Sequence, residues 1–141
     1  MPPFPLRQTQ SIPVSGTVAS QTTLTSSYVA GVIVSMDEAN MIGIDVAYTA
    51  GDETSIQIKV ESTNDPTPSA SSNWYQQVTQ SASGGTVTIV PANYSYTSSG
   101  GNTNFTLIIN PVKGTGIRIS VKATGGTPTG TYAVSAFTGW V

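Results

Sequence analysis

The feature that most constrains this chain is a strict alternation of apolar and polar residues with a period of two. In the stretch SIQIKVE, residues 55–61, every second side chain is Ile or Val. The same alternation recurs in MIGIDVAYT, NFTLIIN and GIRISVKA, which begin at residues 41, 104 and 116. Successive side chains of a strand point to opposite faces, so each run predicts a half-buried β-strand. We expect these apolar side chains to face inward and form the core: Ile44, Val46, Ile56, Ile58, Leu107, Ile109, Ile119 and Val121.

Weaker strand signals and the turns between them predict the fold class. The weaker strands cover residues 12–19, 28–35, 74–80, 86–90 and 131–137. The best helix candidate, SMDEANM at residues 35–41, is at most one turn long. Eight or nine short strands spaced about 8–12 residues apart predict an all-β fold, an antiparallel β-sandwich with jelly-roll-like or Ig-like connectivity. We also expect two hairpins, one joining 42–48 to 56–60 and one joining 105–109 to 117–121.

The first residues do not follow the strand pattern. MPPFPLRQTQ contains three prolines and no alternation, so residues 1–12 are predicted to form an extended N-terminal arm ahead of a single sandwich domain at 13–141. Such an arm reaches up to ~40 Å at about 3.3 Å per residue. The stretch lacks the apolar region of a signal peptide, and no later segment resembles a membrane span. We therefore expect synthesis in a cytoplasm and no membrane association.

Composition argues against several classes of function. The chain has no Cys and no His, which excludes disulfides and removes the commonest general base and transition-metal ligand. Only 9% of residues are charged and the net charge is -2, so we expect no nucleic-acid partner. A glycosidase would need two carboxylates, for which Glu53, Glu61 and Asp65 are candidates, but no site assembles around them. We expect no enzyme activity and no cofactor.

Three acidic turns are candidates for a hard cation. DEAN at 37–40, GDE at 51–53 and ESTND at 61–65 supply carboxylate and amide oxygens, but none has the spacing of an EF-hand. Asp and Asn in turns commonly bond to their own backbone instead, which is the interpretation we favour. A structural Ca²⁺ is the alternative.

Two pairs of aromatic residues are candidate contacts for a partner. Trp74 and Tyr75 end a long Pro- and Ser-rich loop, and in a strand they would point to opposite faces. They could stack on a sugar, but we favour a role in which one anchors the sandwich and the other covers a loop. Tyr94 and Tyr96 share a face within PANYSYTSSGGN, residues 91–102, whose composition is typical either of adaptable recognition loops or of a plain exposed loop.

The order of these features resembles a known class of protein. MIGIDVAYTAGDETSIQIKVESTND is followed by a long loop, by NWYQ, and at the end of the chain by GIRISVKATGGTPTGTYAVSAFTGWV. This arrangement is similar to that of small all-β virion proteins of tailed bacteriophages, of the capsid decoration or auxiliary type. The resemblance covers most of residues 40–141 and involves pattern rather than a diagnostic motif. It implies a β-sandwich or jelly roll, no catalysis, and assembly on a virion, often as trimers with an arm reaching a neighbour.

These observations together predict a structural virion protein that binds a capsid or another virion protein, localises to the virion and forms a homo-oligomer, with a trimer favoured. The alternative is a carbohydrate-binding or adhesin-like module of the same fold. The 61–75 segment is then the long loop between two strands. The predicted partner-binding residues are Phe4 and Leu6 of the arm, Trp74, Tyr75, Tyr94 and Tyr96.

Overall fold

The computed structural model describes residues 14–36, 39–110, 112 and 114–139. The predicted arm, with Phe4 and Leu6, lies outside the described residues. Strands dominate the described part, and a single 3₁₀ turn at Ser98–Gly100 is its one helical segment. The strands are β1 (Val14–Thr23), β2 (Val29–Ala30), β3 (Val34–Ser35), β4 (Met41–Thr49), β5 (Asp52–Thr63), β6 (Tyr75–Gln76), β7 (Val78–Ser83), β8 (Thr86–Pro91), β9 (Asn93–Thr97), β10 (Thr103–Ile109), β11 (Gly116–Thr127) and β12 (Thr131–Gly139).

Two antiparallel sheets form the sandwich. The first sheet has the order β1-β12-β4-β10, and the second has the order β2-β11-β5-β6, with β3 also beside β11 and β9 beside β5. From β1 to β5 and again from β9 to β12, the chain passes back and forth between the two sheets. This connectivity is that of a jelly roll, so the predicted all-β sandwich is confirmed and its topology is the jelly-roll alternative. Strands β7 and β8 form a separate two-stranded sheet. Along the chain they come between β5 and β9, but in space β5 and β9 lie side by side.

Both predicted hairpins are wrong. β4 pairs with β10 and β12, whereas β5, only two residues further along the chain, pairs with β11 in the other sheet. β10 and β11 are separated in the same way. The reason is that alternation shows which face of a strand is buried but not which strand lies beside it. Strands that face each other across a core carry the same pattern as strands that pair.

The core lies between the two sheets and follows the predicted register. Of the eight predicted core residues, seven are buried, and Leu107 near the sandwich edge is only partly buried. The buried set also includes residues that the sequence pattern left aside, such as Met36, Leu24 and Tyr132. β5 and β11 form the longest continuous ladder, from Thr63 beside Gly116 to Asp52 beside Thr127. The part of the chain described contains no helix long and apolar enough to cross a bilayer.

Candidate interaction surfaces

Glu53, one of the three candidate glycosidase carboxylates, is buried at the corner between β4 and β5. Its Oε1 accepts hydrogen bonds from the Tyr48 hydroxyl at 2.5 Å and the Gly51 amide at 2.8 Å. Its Oε2 accepts from the amides of Thr129 at 3.1 Å and Gly130 at 2.9 Å. The carboxylate therefore joins the corner to the loop between β11 and β12, and we name this arrangement the Glu53 corner.

The pKa values at the Glu53 corner follow from these contacts. Burial alone raises the pKa of the Glu53 carboxyl, but hydrogen bonds from Tyr48, Gly130 and Gly51 outweigh burial and lower it to about 2. The pKa of the Tyr48 phenol is raised well above its ordinary value, mainly by burial and further by the contact with the Glu53 carboxylate. A general acid would need the opposite shift in its carboxyl group, so these contacts indicate a structural role for Glu53.

Glu61, the second candidate, lies on the outer face of the second sheet among cations. Its Oε2 accepts from Arg118 Nε at 2.9 Å and lies 2.8 Å from Arg118 Nη2, and its Oε1 lies 3.3 Å from Lys59 Nζ. The Arg118 guanidinium also lies 4.7 Å from the centre of the Trp74 ring. Lys59 and Lys122 lie 4.8 Å and 4.7 Å from the ring centre of Tyr28. We call this set of six residues the cation face.

Asp65, the third candidate, orders the loop that follows β5. Its carboxylate accepts from the Ser72 hydroxyl at 2.7 Å and from the Thr67 amide at 3.0 Å, and these bonds lower the pKa of its carboxyl group. The latter contact is the Asx-type turn that the sequence analysis favoured over a cation site. Among the residues that the structure describes, no three acidic side chains form a group able to hold a metal ion.

Trp74 and Tyr75 lie in different surroundings, and neither belongs to the core. Trp74 is half-buried beneath Arg118, and its Nε1 donates to the Ser69 carbonyl at 3.1 Å. It covers the 64–74 loop, as expected for one of the pair, but the prediction that its neighbour anchors the sandwich is wrong, because Tyr75 is exposed. Tyr75 is 63% exposed and lines a cleft of about 200 Å³ whose polar side chains are Glu61, Ser62, Gln76 and Gln77. Within this aromatic pair, Tyr75 is therefore the ring that is open to a ligand.

Tyr94 and Tyr96 lie in strand β9 and not in a loop, so the loop interpretation of residues 91–102 is wrong for 93–97. They do share a face, as predicted, but that face points toward the core. Tyr96 packs edge-on against Tyr48 and stacks on Phe105, each at 5.9 Å between ring centres. The sequence pattern did not predict this strand, because Asn93 and Ser95 at its outward positions are residues typical of loops. Partner binding by these tyrosines stays a prediction.

The sandwich is open where β9 and β10 face each other. A gap of about 190 Å³ lies there between the sheets, and its lining is mainly aromatic and aliphatic. These side chains are half-buried, apart from an exposed serine. We call this opening the edge gap; it is lined by Tyr94, Ser95, Tyr96, Phe105 and Leu107.

The β7–β8 hairpin projects from the sandwich. All residues of β7 and β8 are exposed, in contrast to the buried centres of β5 and β11. Gly84 and Gly85 connect the strands with φ of 57° and 80°, the conformation that a two-residue type I′ turn requires. The weak strand signals at 74–80 and 86–90 indicated strands here, but they did not indicate that the hairpin stands clear of the core. We call Val78–Pro91 the projecting hairpin.

The projecting hairpin has one apolar face and one hydroxyl-rich face. The register places these residues on the apolar side: Val78 opposite Pro91, Gln80 opposite Ile89, and Ala82 opposite Val87. The other side carries Thr79, Ser81, Ser83, Thr86, Thr88 and Val90. Val87 is 59% exposed and Ile89 is 62% exposed. An amphipathic hairpin with its apolar side in water is typical of a binding surface.

The root of the hairpin is fixed to the sandwich by hydrogen bonds. The Gln77 amide donates to the Val60 carbonyl of β5 at 3.1 Å, and the Ala92 amide donates to the Gln77 carbonyl at 2.8 Å. The Tyr94 hydroxyl donates to Gln77 Oε1 at 2.9 Å. The base is thus held in place, while beyond it β7 and β8 pair with each other and with no other described strand. Because Tyr94 also lines the edge gap, the hairpin and the gap adjoin.

Comparison with known proteins does not identify a family. No family model matches the chain, and the search of curated proteins found no match. The SPBc2 prophage-derived protein YomS matches 90% of this chain and 92% of its own, with 12% identity and a TM-score of 0.45. A protein of Bacillus endospore appendages, which form disulfide-linked pili, matches 92% of this chain and 89% of its own, with 11% identity and a TM-score of 0.41.

A third match comes from the T13 IBDV viral particle. It covers 89% of this chain but 31% of that chain, with 12% identity and a TM-score of 0.48. The matches therefore include a prophage-derived protein, a pilus protein and a viral particle protein. Similarities at this level carry no argument about function.

Proposed function

We propose that this protein is a structural component of a virion, of the capsid decoration or auxiliary type, and that it acts by binding protein neighbours without catalysis. The observation that carries the proposal is the projecting hairpin. It offers an apolar face on a fixed base, and it contributes no buried residue to the core of its own chain. Such a surface lowers its free energy when another protein covers it.

The distribution of charge supports assembly. From residue 66 to residue 112 the chain contains no Asp, Glu, Lys or Arg. This segment includes the projecting hairpin, β9 and β10, so the exposed apolar surface and the edge gap are both free of charge. Depletion of charged residues is the compositional signal of interface cores. The fold alone decides less, because jelly rolls occur in capsid proteins and in lectins.

Fractionation of particles tests the proposal. Lysates of cells that produce the protein are separated on a density gradient, and the chain is quantified in each fraction by mass spectrometry. We expect it to co-sediment with viral particles in many copies per particle. I89K, which places a charge on the apolar face of the hairpin, should reduce that fraction, whereas T88K on the hydroxyl face should not. A wild-type chain found only in the soluble fraction would contradict the proposal.

A second candidate function is carbohydrate binding, and one observation favours it. Tyr75 exposes its ring beside a cleft that offers amide, hydroxyl and carboxylate groups, which is the combination that orients small polar ligands. Trp74 is less suited because Arg118 lies over its ring. On this alternative, Y75A abolishes binding on a glycan array. W74A weakens binding less, because Trp74 acts only by ordering the 64–74 loop. A blank array for the wild-type protein would exclude the alternative.

A further inference from the structure

We propose that the projecting hairpin of one copy packs its apolar face against the edge gap of a second copy of this chain. This inference rests on the proposed assembly function and specifies the partner and the contact. The hairpin supplies Val78, Ala82, Val87, Ile89 and Pro91 as the inserting surface. The edge gap supplies the receiving surface between β9 and β10.

No residue in the described part of the chain covers the apolar face of the hairpin. A two-stranded hairpin on its own is marginally stable in water, and this one buries no side chain. Among the described residues, the hydrogen bonds that join it to the sandwich lie at its root, Gln77 and Ala92. Because its residues are exposed, the hairpin does not fill the edge gap of its own chain. Its apolar face is therefore available to a second copy of the chain, as far as residues 14–36, 39–110, 112 and 114–139 are concerned.

The edge gap matches the hairpin in chemistry. Tyr94, Tyr96, Phe105 and Leu107 are half-buried there, so each would bury further apolar surface under an inserted Ile or Val. Neither surface carries a charge, since both lie within residues 66–112. A charged partner surface would lose its hydration on binding here, and no charged group of this chain would compensate that free-energy cost. A second copy of the chain brings a receiving surface that avoids this cost.

The positions of the two surfaces also favour a second copy. The Tyr94 side chain lines the gap and holds Gln77 at the root of the hairpin, so each copy presents an inserting surface next to a receiving one. Two copies related by a two-fold axis can then exchange hairpins reciprocally, which is the self-complementary contact of a symmetric dimer. A closed ring of three copies uses the same two surfaces in head-to-tail order.

The area of the hairpin explains why the contact must be repeated. One face of a hairpin with six residues in each strand measures roughly 20 Å by roughly 10 Å, on the order of 200 Å². A stable interface buries about 800 Å² on each partner. A single insertion falls short of that area, and reciprocal insertion raises it to about 400 Å² on each copy, so one pair of copies forms only a weak contact. Closed assemblies gain further because each linked contact raises the effective concentration of the next.

Disulfide cross-linking tests the contact, because the natural chain has no Cys. I89C and L107C are made as separate chains, mixed and oxidised mildly, so that only a bond between copies can join them. We expect a mixed I89C–L107C dimer in at least tenfold excess over two matched controls. The controls are T88C with L107C, from the hydroxyl face of the hairpin, and I89C with I108C, from the outer face of β10. Sedimentation and melting of each reduced variant verify that it folds and assembles as the wild type does.

The outcomes separate this inference from the proposed function. If the chain self-associates but I89C and L107C cross-link no better than the controls, the contact is wrong and the assembly function stands. If the chain binds viral particles yet is monomeric in isolation at every concentration, the contact between copies is again wrong. If the chain neither self-associates nor binds particles, both proposals fail. Selective cross-linking together with a concentration-dependent mass supports the contact.

Discussion

The β5–β11 pair and the projecting hairpin are built on the same alternating pattern but have opposite surroundings. In β5 and β11, each 12 residues long, the apolar side faces the other sheet, and Ile56, Ile58 and Ile119 are at most 1% exposed. In the hairpin the apolar side, with Val87 and Ile89, faces water. Alternation therefore specifies an amphipathic sheet without specifying what covers it. In this chain one apolar face is covered within the fold, and the other is available to a partner.

The largest expected difference between the two regions is in the cost of truncating an isoleucine. Ile58→Ala removes a fully buried side chain from the sandwich and should lower the free energy of unfolding by about 2–4 kcal/mol. Ile89→Ala in the projecting hairpin should change it by less than about 0.5 kcal/mol. Urea denaturation of both variants at a concentration where the protein is monomeric measures the contrast. Equal costs would show that the hairpin belongs to the cooperative fold.

The second largest loss of stability is expected when the buried Glu53 carboxylate is changed. Glu53→Gln removes a charged acceptor and places an amide against backbone N–H groups, so we expect a loss of about 2–3 kcal/mol. Asp52→Asn is the matched control, because its side chain is exposed on the same strand and should cost almost nothing. If Glu53→Gln were as stable as the control, the Glu53 carboxylate would not stabilise the fold.

The pH dependence of stability gives a related test. The pKa of Glu53 is about 2 in the folded protein and 4.5 ordinarily. The native state therefore holds fewer protons than the unfolded state between these values, and this contribution to stability, complete above pH 4.5, is lost as the pH falls toward 2. Between pH 5 and pH 2 the wild-type protein should lose more stability than Glu53→Gln. Parallel curves of melting temperature against pH for the two proteins would contradict this assignment.

A smaller effect is expected on the cation face. Arg118→Ala removes a two-nitrogen contact with the buried Glu61 and a cation–π contact with Trp74. We expect a loss of about 1–2 kcal/mol, because Lys59 still accompanies the carboxylate. Lys122→Ala, the control, removes one of two lysines beside Tyr28 and should cost less than about 0.5 kcal/mol. The reverse order of costs would show that Glu61 does not depend on Arg118.

The smallest effect on the fold is expected at the start of the chain. Deleting residues 1–10, which include Phe4 and Leu6, should leave the melting temperature nearly unchanged, because β1 begins only at Val14. The same deletion should weaken assembly if the arm docks on a neighbour. Calorimetry and sedimentation of the truncated chain measure the two quantities separately. A truncated protein that unfolds would mean that the first residues are an integral part of the sandwich.

Much of the fold was predictable because its central strands alternate so regularly. Ile56, Ile58, Ile119 and Val121 face inward as expected. β5 and β11 extend further than the pattern indicated, since Glu53 and Thr63 occupy buried positions near the ends of β5. Periodicity in hydrophobicity cannot reveal a buried carboxylate or hydroxyl, because their burial depends on hydrogen bonds supplied by distant parts of the chain.

The interaction surfaces were predictable only in part. Tyr94 and Tyr96 were found by composition, but their place in the edge gap depends on β10, which lies in the other sheet. The projecting hairpin coincides with the weak strand signals at 74–80 and 86–90, yet nothing local distinguishes Ile89 from an isoleucine of the core. Exposure is a property of the whole fold, and long-range pairing such as β4 with β12 determines it.

Amide hydrogen exchange measured over a dilution series tests directly whether a second copy covers the projecting hairpin. We expect the amides of Thr79–Val90 to exchange quickly in dilute, monomeric protein and to become protected as copies associate, while those of Ile56–Val60 and Ile117–Val121 stay protected throughout. I89K should abolish the concentration-dependent protection and leave the sandwich unchanged. Hairpin amides that exchange equally fast in the monomer and in the fully associated protein would contradict the claim that a second copy covers the projecting hairpin.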